Sequence, residues 1–265
     1  MSEEHLLVEQ TGHVLVLRMN RPERKNAFSP NMLARLAEAW ARAEQDPEVR
    51  CVILTGSKEV FCAGADLKAM SEAPDASDEY AKRFKNDAEM AWKALLRHYR
   101  LTKPLIAAIE GPCIAGGMEI MQATDIRIAG ESATLGLAEV RRGLFPLGGS
   151  TVRLRRQIPY TVAAEMLLTG KTISAQEALT YGLIGHVVPA GSALDKAREI
   201  AEVVCANGPV SVRAVKRSLQ ETEGLPEADA LKIELEIGLQ VFLSQDAQEG
   251  PRAFAEKRAP NFTGH

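Results

Sequence analysis

The chain has 265 residues, which is enough for one α/β domain with a large core, or for one core and a small appendage. Hydrophobic residues make up 46% and charged residues 25% of the composition, which excludes a disordered protein. The formal net charge of -3 lacks the basic excess of a nucleic-acid-binding protein. We therefore expect no nucleic-acid partner, and we expect any anionic ligand to be held by local basic residues or helix N-termini.

The four cysteines and five histidines show no spacing typical of a metal site, so we expect no metal ion. No two cysteines form a C-x-x-C pair, and we interpret all four as reduced thiols of a cytoplasmic protein. The N-terminal sequence MSEEHLLVEQ lacks the pattern of a signal peptide. No run of about 18 apolar residues predicts a membrane span, so we expect no membrane partner.

The N-terminal part of the sequence alternates between strand and helix patterns. Residues 6–10 and 14–19 are strand-like and predict a hairpin. Ser29 as a cap and Pro30 in the first turn predict the start of an amphipathic helix. A short buried strand is expected at residues 51–55. The order strand, helix, strand is typical of an α/β crossover unit.

The middle of the sequence continues this alternation. A polar loop is expected at residues 71–78, followed by one helix at residues 79–99. Buried strands are expected at residues 104–109 and 125–129, and a helix opens between them near Gly116. After residue 190 the strand patterns give way to helical ones. We therefore predict an α/β core at residues 1–190 and a helical region at residues 191–265. Within the helical region, helices are predicted at residues 193–206, 209–222 and 226–245.

Two loops made of small residues, Phe61–Asp66 and Gly111–Gly117, share a position between an apolar strand and a helix. Such loops let a substrate approach the backbone and direct free N–H groups at negative charge. Neither Ala65 nor Gly116 is a proline, so each keeps its N–H donor, and two converging donors would form an oxyanion hole. Either loop could instead be a tight-packing turn, which is the commoner role of a lone glycine-rich motif.

Two glutamates have unusual surroundings. Glu119 is the only charged residue within 111–124, and the burial that this implies would raise its pKa and favour the neutral acid. Glu139 is followed closely by Arg141 and Arg142, which we expect to keep it ionised. One neutral and one ionised carboxyl can together deliver a water and a proton. Taken singly, each could be a solvated or an arginine-paired glutamate.

The order of these motifs resembles the crotonase superfamily, that of the enoyl-CoA hydratases and isomerases. The resemblance runs from about residue 6 to Phe262 and is specific because many short segments match in order and spacing. The matching segments are Met19–Pro22 with Asn26–Phe28, Phe61–Lys68, Lys103–Gly111, Ala115–Ile120, Asp125–Ala129, and Leu168–Gly170 with Ala175–Ala178.

The resemblance implies an α/β fold of stacked ββα turns in a spiral, with a helical C-terminal trimerisation region. It implies that Ala65 and Gly116 donate the oxyanion-hole hydrogen bonds to the thioester oxygen. It also implies that Glu119 and Glu139 are catalytic and hold the water that attacks C3 while a proton reaches C2. The implied activity is that of an enoyl-CoA hydratase, a lyase of fatty-acid metabolism such as β-oxidation.

The resemblance also implies the partners of this chain. The substrate is an acyl-CoA, and because CoA is part of that substrate, we expect no separate cofactor. Self-association as a trimer or a dimer of trimers is expected. The basic residues among the implied CoA contacts could equally be solvated surface residues. The residues implied to bind CoA are Arg24, Lys25, Ala63, Asp66, Leu67 and Lys68.

Two other functions are compatible with the pattern. A double-bond isomerase needs only one carboxylate, and the presence of both glutamates favours hydration over it. A non-catalytic acyl-CoA-binding or RNA-binding protein is disfavoured because neither glutamate is lost. Ala115, Ala138 and Leu147 differ from the residues frequent in the family, so the size of the acyl pocket stays open. Fatty, branched, aromatic and sterol-derived acyl groups all remain compatible.

Overall fold

A computed structural model describes residues 4–71 and 77–265. Within these residues the strands are β1 (Leu6–Thr11), β2 (Val14–Met19), β3 (Cys51–Thr55), β4 (Leu105–Ile109), β5 (Pro112–Ile114), β6 (Ile126–Gly130), β7 (Thr134–Gly136), β8 (Thr172–Ser174) and β9 (His186–Val188). The helices are α1 (Pro30–Gln45), α2 (Leu67–Ser71), α3 (Glu79–Asn86), α4 (Met90–Ala94), α5 (Gly116–Met121), α6 (Ser150–Gln157), α7 (Tyr160–Thr169), α8 (Ala175–Thr180), α9 (Ala193–Ala206), α10 (Pro209–Glu221), α11 (Glu227–Val241) and α12 (Gln245–Ala255). In the described part of the chain, no helix combines the length and the apolar character needed to cross a bilayer.

The larger sheet has the strand order β1-β2-β3-β4-β6-β9. Its first pair is the predicted antiparallel hairpin, with Leu6 opposite Met19, and the remaining neighbours are parallel. The central strands β3 and β4 are buried along their whole length and consist almost entirely of apolar residues. Such uninterrupted apolar strands are typical of a parallel sheet that is covered on both faces.

A smaller sheet of order β5-β7-β8 lies beside the larger one. Strands β4 and β6 belong to the large sheet, and each is followed directly by a strand of the small sheet, β5 and β7 respectively. The turn after β3 joins the same ladder through a parallel bridge between Cys62 and Cys113. Successive turns of the chain therefore stack in register, and the predicted spiral of ββα turns is confirmed.

The two faces of the large sheet are covered by different helices. On one face α1 begins at Pro30, where the Ser29 hydroxyl accepts a hydrogen bond from the Met32 N–H at 3.1 Å, and it buries Trp40. On the other face α9 packs Ala193, Ala197 and other small residues against the strands. Small side chains at four-residue spacing let the helix approach the sheet closely. The division of the chain at residue 190 stays a prediction.

The helix predicted at residues 79–99 is wrong, because the structure forms two short helices there, α3 and α4. The chain leaves α3 at Asp87, whose Oδ1 accepts a hydrogen bond from the Glu89 N–H at 2.9 Å. An aspartate that bonds its own backbone in this way competes with helix continuation. After α4, Leu96 adopts a left-handed conformation with φ 52°. Residues 72–76 of the loop predicted at 71–78 lie outside the described residues.

A buried lysine ties the C-terminal helices to the sheet. Lys216 on α10 donates from Nζ to the Asp125 carboxylate at 2.7 Å and to the Lys103 carbonyl at 2.7 Å. The same Asp125 carboxylate accepts the Leu105 N–H at the start of β4. Because a buried ammonium is tolerated only with such partners, this contact fixes the position of α10 on the core.

Candidate active site

The first predicted loop leaves the Ala65 amide free. Phe28 pairs with this loop by donating its N–H to the Gly64 carbonyl at 2.7 Å and accepting the Asp66 N–H at 3.0 Å. Both hydrogen bonds use the neighbours of Ala65. Among the hydrogen bonds of the described residues, none has the Ala65 N–H as its donor.

The second predicted loop leaves the Gly116 amide free. Gly116 is the first residue of α5, where backbone N–H groups have no partner within the helix. Ala115 precedes it with φ 53° and ψ -124°, a conformation that residues with a Cβ rarely adopt, and donates its own N–H to the Gly136 carbonyl at 2.9 Å. Within residues 4–71 and 77–265, the Gly116 N–H has no acceptor.

The two loops touch through their backbones. A Cβ added to Gly64 would lie 3.2 Å from the Gly116 nitrogen, and a Cβ added to Gly117 would overlap the Cys62 carbonyl. The Ile114 N–H also donates to that Cys62 carbonyl at 2.8 Å. The structure therefore brings Ala65 and Gly116 together on adjacent turns. Two unpaired amides in such a place can receive the charge of an oxyanion.

Glu119 lies in the first turn of α5 and is only 4% exposed. Its Oε1 accepts a hydrogen bond from the Ser150 N–H at 3.3 Å, and a Cβ on Gly148 would lie 2.6 Å from its Oε2. Burial raises the pKa of the Glu119 carboxyl, as the sequence predicts. Hydrogen bonds from Ser150 and Gly148 and the charge of Arg153 lower the same pKa and oppose that rise.

Glu139 begins a 3₁₀ turn that follows β7, and its Oε2 is buried without a hydrogen-bond partner among the described residues. Burial raises the pKa of Glu139 to about 7, and the charge of Glu119 adds to the rise. The expectation that arginines keep this group ionised is wrong. Arg141 donates instead to the Thr169 carbonyl at 3.3 Å, and the charge of Arg142 is too weak to offset burial.

The two carboxyls therefore form one electrostatic unit next to the unpaired amides. A pair in which one group is more easily protonated can hold one proton and one charge at neutral pH. Such a pair can take a proton from water and deliver another to carbon, so the arrangement suits general acid–base chemistry on a substrate whose developing charge lies on oxygen.

Some of the residues predicted to bind CoA surround the first loop. Arg24 and Lys25 are exposed, and within the described residues neither forms an ion pair. Lys25 is left-handed with φ 52°, and its carbonyl accepts the Ala63 N–H at 3.0 Å. Leu67 is 53% exposed. The structure thus places these predicted contacts beside the first loop, Phe61–Asp66.

Asp66, also predicted to bind CoA, is engaged within the protein. Its Oδ1 accepts the Ala69 N–H at 3.0 Å, and its Oδ2 lies 3.1 Å from Nη1 of Arg21. Although burial raises the pKa of Asp66, these two contacts outweigh it and the net effect lowers the pKa. Its carboxylate therefore organises the start of α2, while the exposed Lys68 lies on the first turn of that helix.

The sequence-based predictions missed the residues behind Glu119. Gln122 is buried, and its Nε2 donates to the Ser150 hydroxyl at 2.8 Å. Ser150 in turn donates its N–H to Glu119. The available signal was the sequence Gly148-Gly149-Ser150 before a helix, which has the same small-residue character as the two loops that were predicted.

Comparisons with known proteins give matches over nearly the whole chain. The family model for Enoyl-CoA hydratase/isomerase matches residues 9–265. The enoyl-CoA hydratase EchA19 of Mycobacterium tuberculosis is 56% identical over 256 residues, covering 97% of this chain and 95% of that protein. The (E)-benzylidenesuccinyl-CoA hydratase of Thauera aromatica is 39% identical over 259 residues, covering 97% and 98%. The crystal structure of the enoyl-CoA hydratase EchA1 of Mycobacterium marinum matches with a TM-score of 0.90 and 38% identity, covering 99% and 100%.

We expect one glutamate carboxyl of the free protein to titrate at about pH 7. Because burial and the charge of Glu119 raise its pKa, Glu139 should be protonated below this pH and ionised above it. ¹³C NMR of protein with labelled glutamate measures the titration. Glu139→Gln should abolish it, whereas Glu131→Gln, at an exposed position, should leave it in place. A wild-type protein with no carboxyl titrating above pH 6 would contradict this assignment.

Proposed function

The chain belongs to the enoyl-CoA hydratase/isomerase family, and from this premise we propose that it adds water across the 2-enoyl double bond of an acyl-CoA thioester. The product is a 3-hydroxyacyl-CoA. The observation that carries this proposal is the pairing of the buried Glu119 carboxyl with the half-buried Glu139 carboxyl beside two unpaired backbone amides. Relatives at 56% and 39% identity that bear hydratase names support the same reaction.

The amides of Ala65 and Gly116 bind the thioester oxygen of the substrate. As water attacks C3, negative charge develops on this oxygen, and the two N–H donors stabilise it. Because both donors are fixed by backbone contacts, they need no reorganisation when the charge appears. The acyl-CoA is itself the substrate, so the reaction uses the chain's own groups and no added cofactor.

The two carboxyls divide the proton chemistry between them. Ionised Glu119 takes one proton from water as the water oxygen bonds to C3, and protonated Glu139 gives its proton to C2. Burial raises the pKa of both carboxyls, but the pKa of Glu139 reaches about 7, whereas amide donors and Arg153 oppose the rise at Glu119. Glu139 is therefore the group that carries the proton, which reverses the expectation from sequence that Glu119 is the neutral acid and Glu139 the ionised group. Afterwards Glu119 holds a proton and Glu139 is ionised, so a proton must pass from the first carboxyl to the second before the next cycle.

The CoA portion lies along the exposed edge of the first loop. Arg24, Lys25 and Lys68 supply positive charge for its phosphates, while the backbone around Ala63 and Leu67 faces the adenine and pantetheine parts. This assignment rests on the exposure of the basic residues and on their position beside the loop that carries Ala65. Asp66 acts by holding the loop through Arg21 and Ala69.

The C-terminal helices associate with a second copy of the chain. Between α10 and α11 lies a mostly apolar groove of about 520 Å³, and Phe242 at its end is 76% exposed. Apolar surface of this extent is typical of an interface. We propose a trimer, or a dimer of trimers, that covers it, and the exposed apolar residues of this face are Val215, Leu219, Leu235, Leu239 and Phe242.

The cellular setting is part of the same proposal. The four cysteines are free thiols and all are buried. Burial raises the pKa of Cys62 to about 12, so this thiol beside the oxyanion loop is not a nucleophile. Free thiols suit a reducing compartment, and we propose a cytoplasmic enzyme of fatty-acid degradation.

Removing either carboxylate should abolish most of the hydration. Glu119→Gln and Glu139→Gln should each lower kcat by on the order of 10²–10⁴, because each removes one half of the acid–base pair. The double variant should be little slower than the slower single one, since the two groups act as a unit. In the wild type, kcat/KM should fall above about pH 7, where Glu139 loses its proton. The loss of the conjugated thioester absorbance of a 2-enoyl-CoA panel measures the rates.

The control is Glu131→Gln, at an exposed position, which should hydrate at the wild-type rate. All variants should still bind acetoacetyl-CoA, because the oxyanion hole is made of backbone. If Glu119→Gln abolished hydration but left 3-enoyl to 2-enoyl isomerisation fast, Glu139 alone would move the proton. A wild type that hydrates none of the panel would overturn the hydratase proposal.

Charge removal at the CoA site should weaken binding. Lys25→Ala should raise the Kd for CoA by several-fold and reduce its dependence on salt, because one phosphate contact is lost. Lys196→Ala, on α9 and paired with Glu199, is the control and should bind CoA as the wild type does. Thermal-shift titration with CoA measures both, since ligand binding raises the Tm by mass action. If acyl-pantetheine bound with the same affinity as acyl-CoA, the proposal that these basic residues bind the nucleotide part of CoA would be wrong.

The oligomer should depend on the groove between α10 and α11. The wild type should sediment as a trimer or hexamer at micromolar concentration, and Leu235→Asp should shift it toward smaller species because a carboxylate would be buried in the interface. Sedimentation velocity distinguishes these species. A wild-type monomer at micromolar concentration would rule the assembly out.

A further inference from the structure

Arg153 on α6 lies behind the loop that holds Glu119. Its Nη2 donates to the Leu96 carbonyl at 2.5 Å, and its Nη1 lies 3.5 Å from the Gly148 carbonyl. A Cβ on Gly149 would lie 3.4 to 3.5 Å from three atoms of the guanidinium. Gly149, with φ 121°, therefore lets the loop lie directly against the Arg153 side chain.

The opposite side of the same loop contacts the catalytic carboxylate. The Ser150 N–H donates to Glu119 Oε1, and Gly148 lies so close to Oε2 that a Cβ there would come within 2.6 Å. The residues 148–150 are thus a thin layer between a carboxylate and a guanidinium. Any movement of this layer changes the donors that Glu119 receives.

A second arginine fixes the same layer at its start. Arg97 donates from Nε to the Leu147 carbonyl at 2.7 Å, and its guanidinium packs over Trp92. Its neighbour Leu96, the acceptor of Arg153, is held in a left-handed conformation that persists only where its surroundings impose it. Two arginines therefore cross-link the chain after α4 to the chain before α6.

We propose that Arg153 is a positioning residue for hydration, which acts through Glu119 by clamping Gly148–Ser150 against its carboxylate and by keeping Glu119 the ionised member of the pair. This inference rests on the proposed hydratase function. Arg153 itself touches neither the substrate nor the reacting atoms. Its contribution is the geometry and the charge of a group that does.

The charges around Glu119 favour this role. The ionisable groups that face it are Arg153 from α6 and Glu139 from the 3₁₀ turn. The charge of Arg153 lowers the pKa of Glu119, and burial raises it. Removing the guanidinium would therefore raise that pKa. Besides Glu119, the charged groups around Arg153 are Arg97, Arg100 and Glu223.

The decisive comparison is Arg153→Gln against Arg156→Gln. Both substitutions remove one arginine from α6, but Arg156 is exposed, and its one ion pair among the described residues is with Glu223 at 3.6 Å. In Arg153→Gln we expect kcat to fall on the order of 10-fold to 100-fold, as for a misplaced catalytic group. The acidic limb of the pH profile should move to higher pH, because Glu119 must be ionised to accept the proton. KM should change little, and Arg156→Gln should resemble the wild type in every respect.

Two further measurements separate a positioning role from a purely structural one. Arg153→Lys keeps the positive charge but cannot reach the carbonyls of both Leu96 and Gly148. The acidic limb of its pH profile should therefore lie at the wild-type pH, while its kcat stays low. ¹³C NMR of labelled glutamate reports the titration of Glu119 without any turnover. The midpoint of this titration should move to higher pH in Arg153→Gln, but not in Arg153→Lys or Arg156→Gln. If Arg153→Gln failed to fold, Arg153→Lys would carry the kcat comparison.

The outcomes are distinguishable. A folded Arg153→Gln with the wild-type pH profile and the wild-type Glu119 titration would overturn the positioning role while the hydratase function stands. A wild type that hydrates no enoyl-CoA would instead overturn the proposed function, and the NMR comparison would still decide whether Arg153 sets the ionisation of Glu119. Equal effects in Arg153→Gln and Arg156→Gln would also overturn the proposal.

Discussion

The close approach of successive backbone turns constrains everything else in this molecule. A Cβ on Gly117 would overlap the Cys62 carbonyl, and a Cβ on Gly111 would overlap the Glu59 carbonyl, so the turns stack only because these positions lack side chains. The parallel bridge between Cys62 and Cys113 forms at the same level. The unpaired amides therefore arise from the way the spiral is stacked, and no side chain has to be oriented to create them.

The same stacking explains why the carboxyls have shifted pKa values. Glu119 follows the second turn by only a few residues, so it enters the interior with α5 and loses contact with water. Its carboxyl accepts hydrogen bonds from amides of the loop before α6, whereas Oε2 of the half-buried Glu139 has no donor among the residues that the structure describes. The difference between the two groups thus comes from the backbone beside each: Glu119 receives the amides of Gly148 and Ser150, whereas the half-buried Glu139 receives only its own amide among the causes that lower its pKa by hydrogen bonding.

The sequence predicts features that depend on local rules. The hairpin at β1 and β2, the cap at Ser29 and the burial of Glu119 all follow from patterns within a few residues, and the structure confirms them. The small-residue loops were recognisable because close backbone approach demands glycine or alanine at positions such as Gly64. Local composition therefore indicated both loops, whereas the role of their amides in binding an oxyanion came from the family resemblance.

Features that depend on distant contacts could not be predicted in this way. Two arginines close to Glu139 in sequence suggested an ionised group, but Arg141 turns to a carbonyl on α7 that the sequence gives no reason to expect. The helical periodicity at residues 79–99 does not indicate the turn at Asp87, where the side chain accepts the Glu89 N–H and ends the helix. Ser150 and Arg153 reach Glu119 across more than thirty residues of chain, a separation over which periodicity carries no information.

Ala115 shows how the backbone site is held in place. Its φ of 53° and ψ of -124° cost about 1–3 kcal/mol for a residue with a Cβ. The conformation persists because the Ala115 N–H is bonded to Gly136 on β7 and the turn is pressed against Gly64. A relaxed Ala115 would break that pairing and rotate the peptide that carries the Gly116 N–H. The strain is thus local, and the stacked sheets on either side compensate for it, so that the amide stays where an oxyanion can meet it.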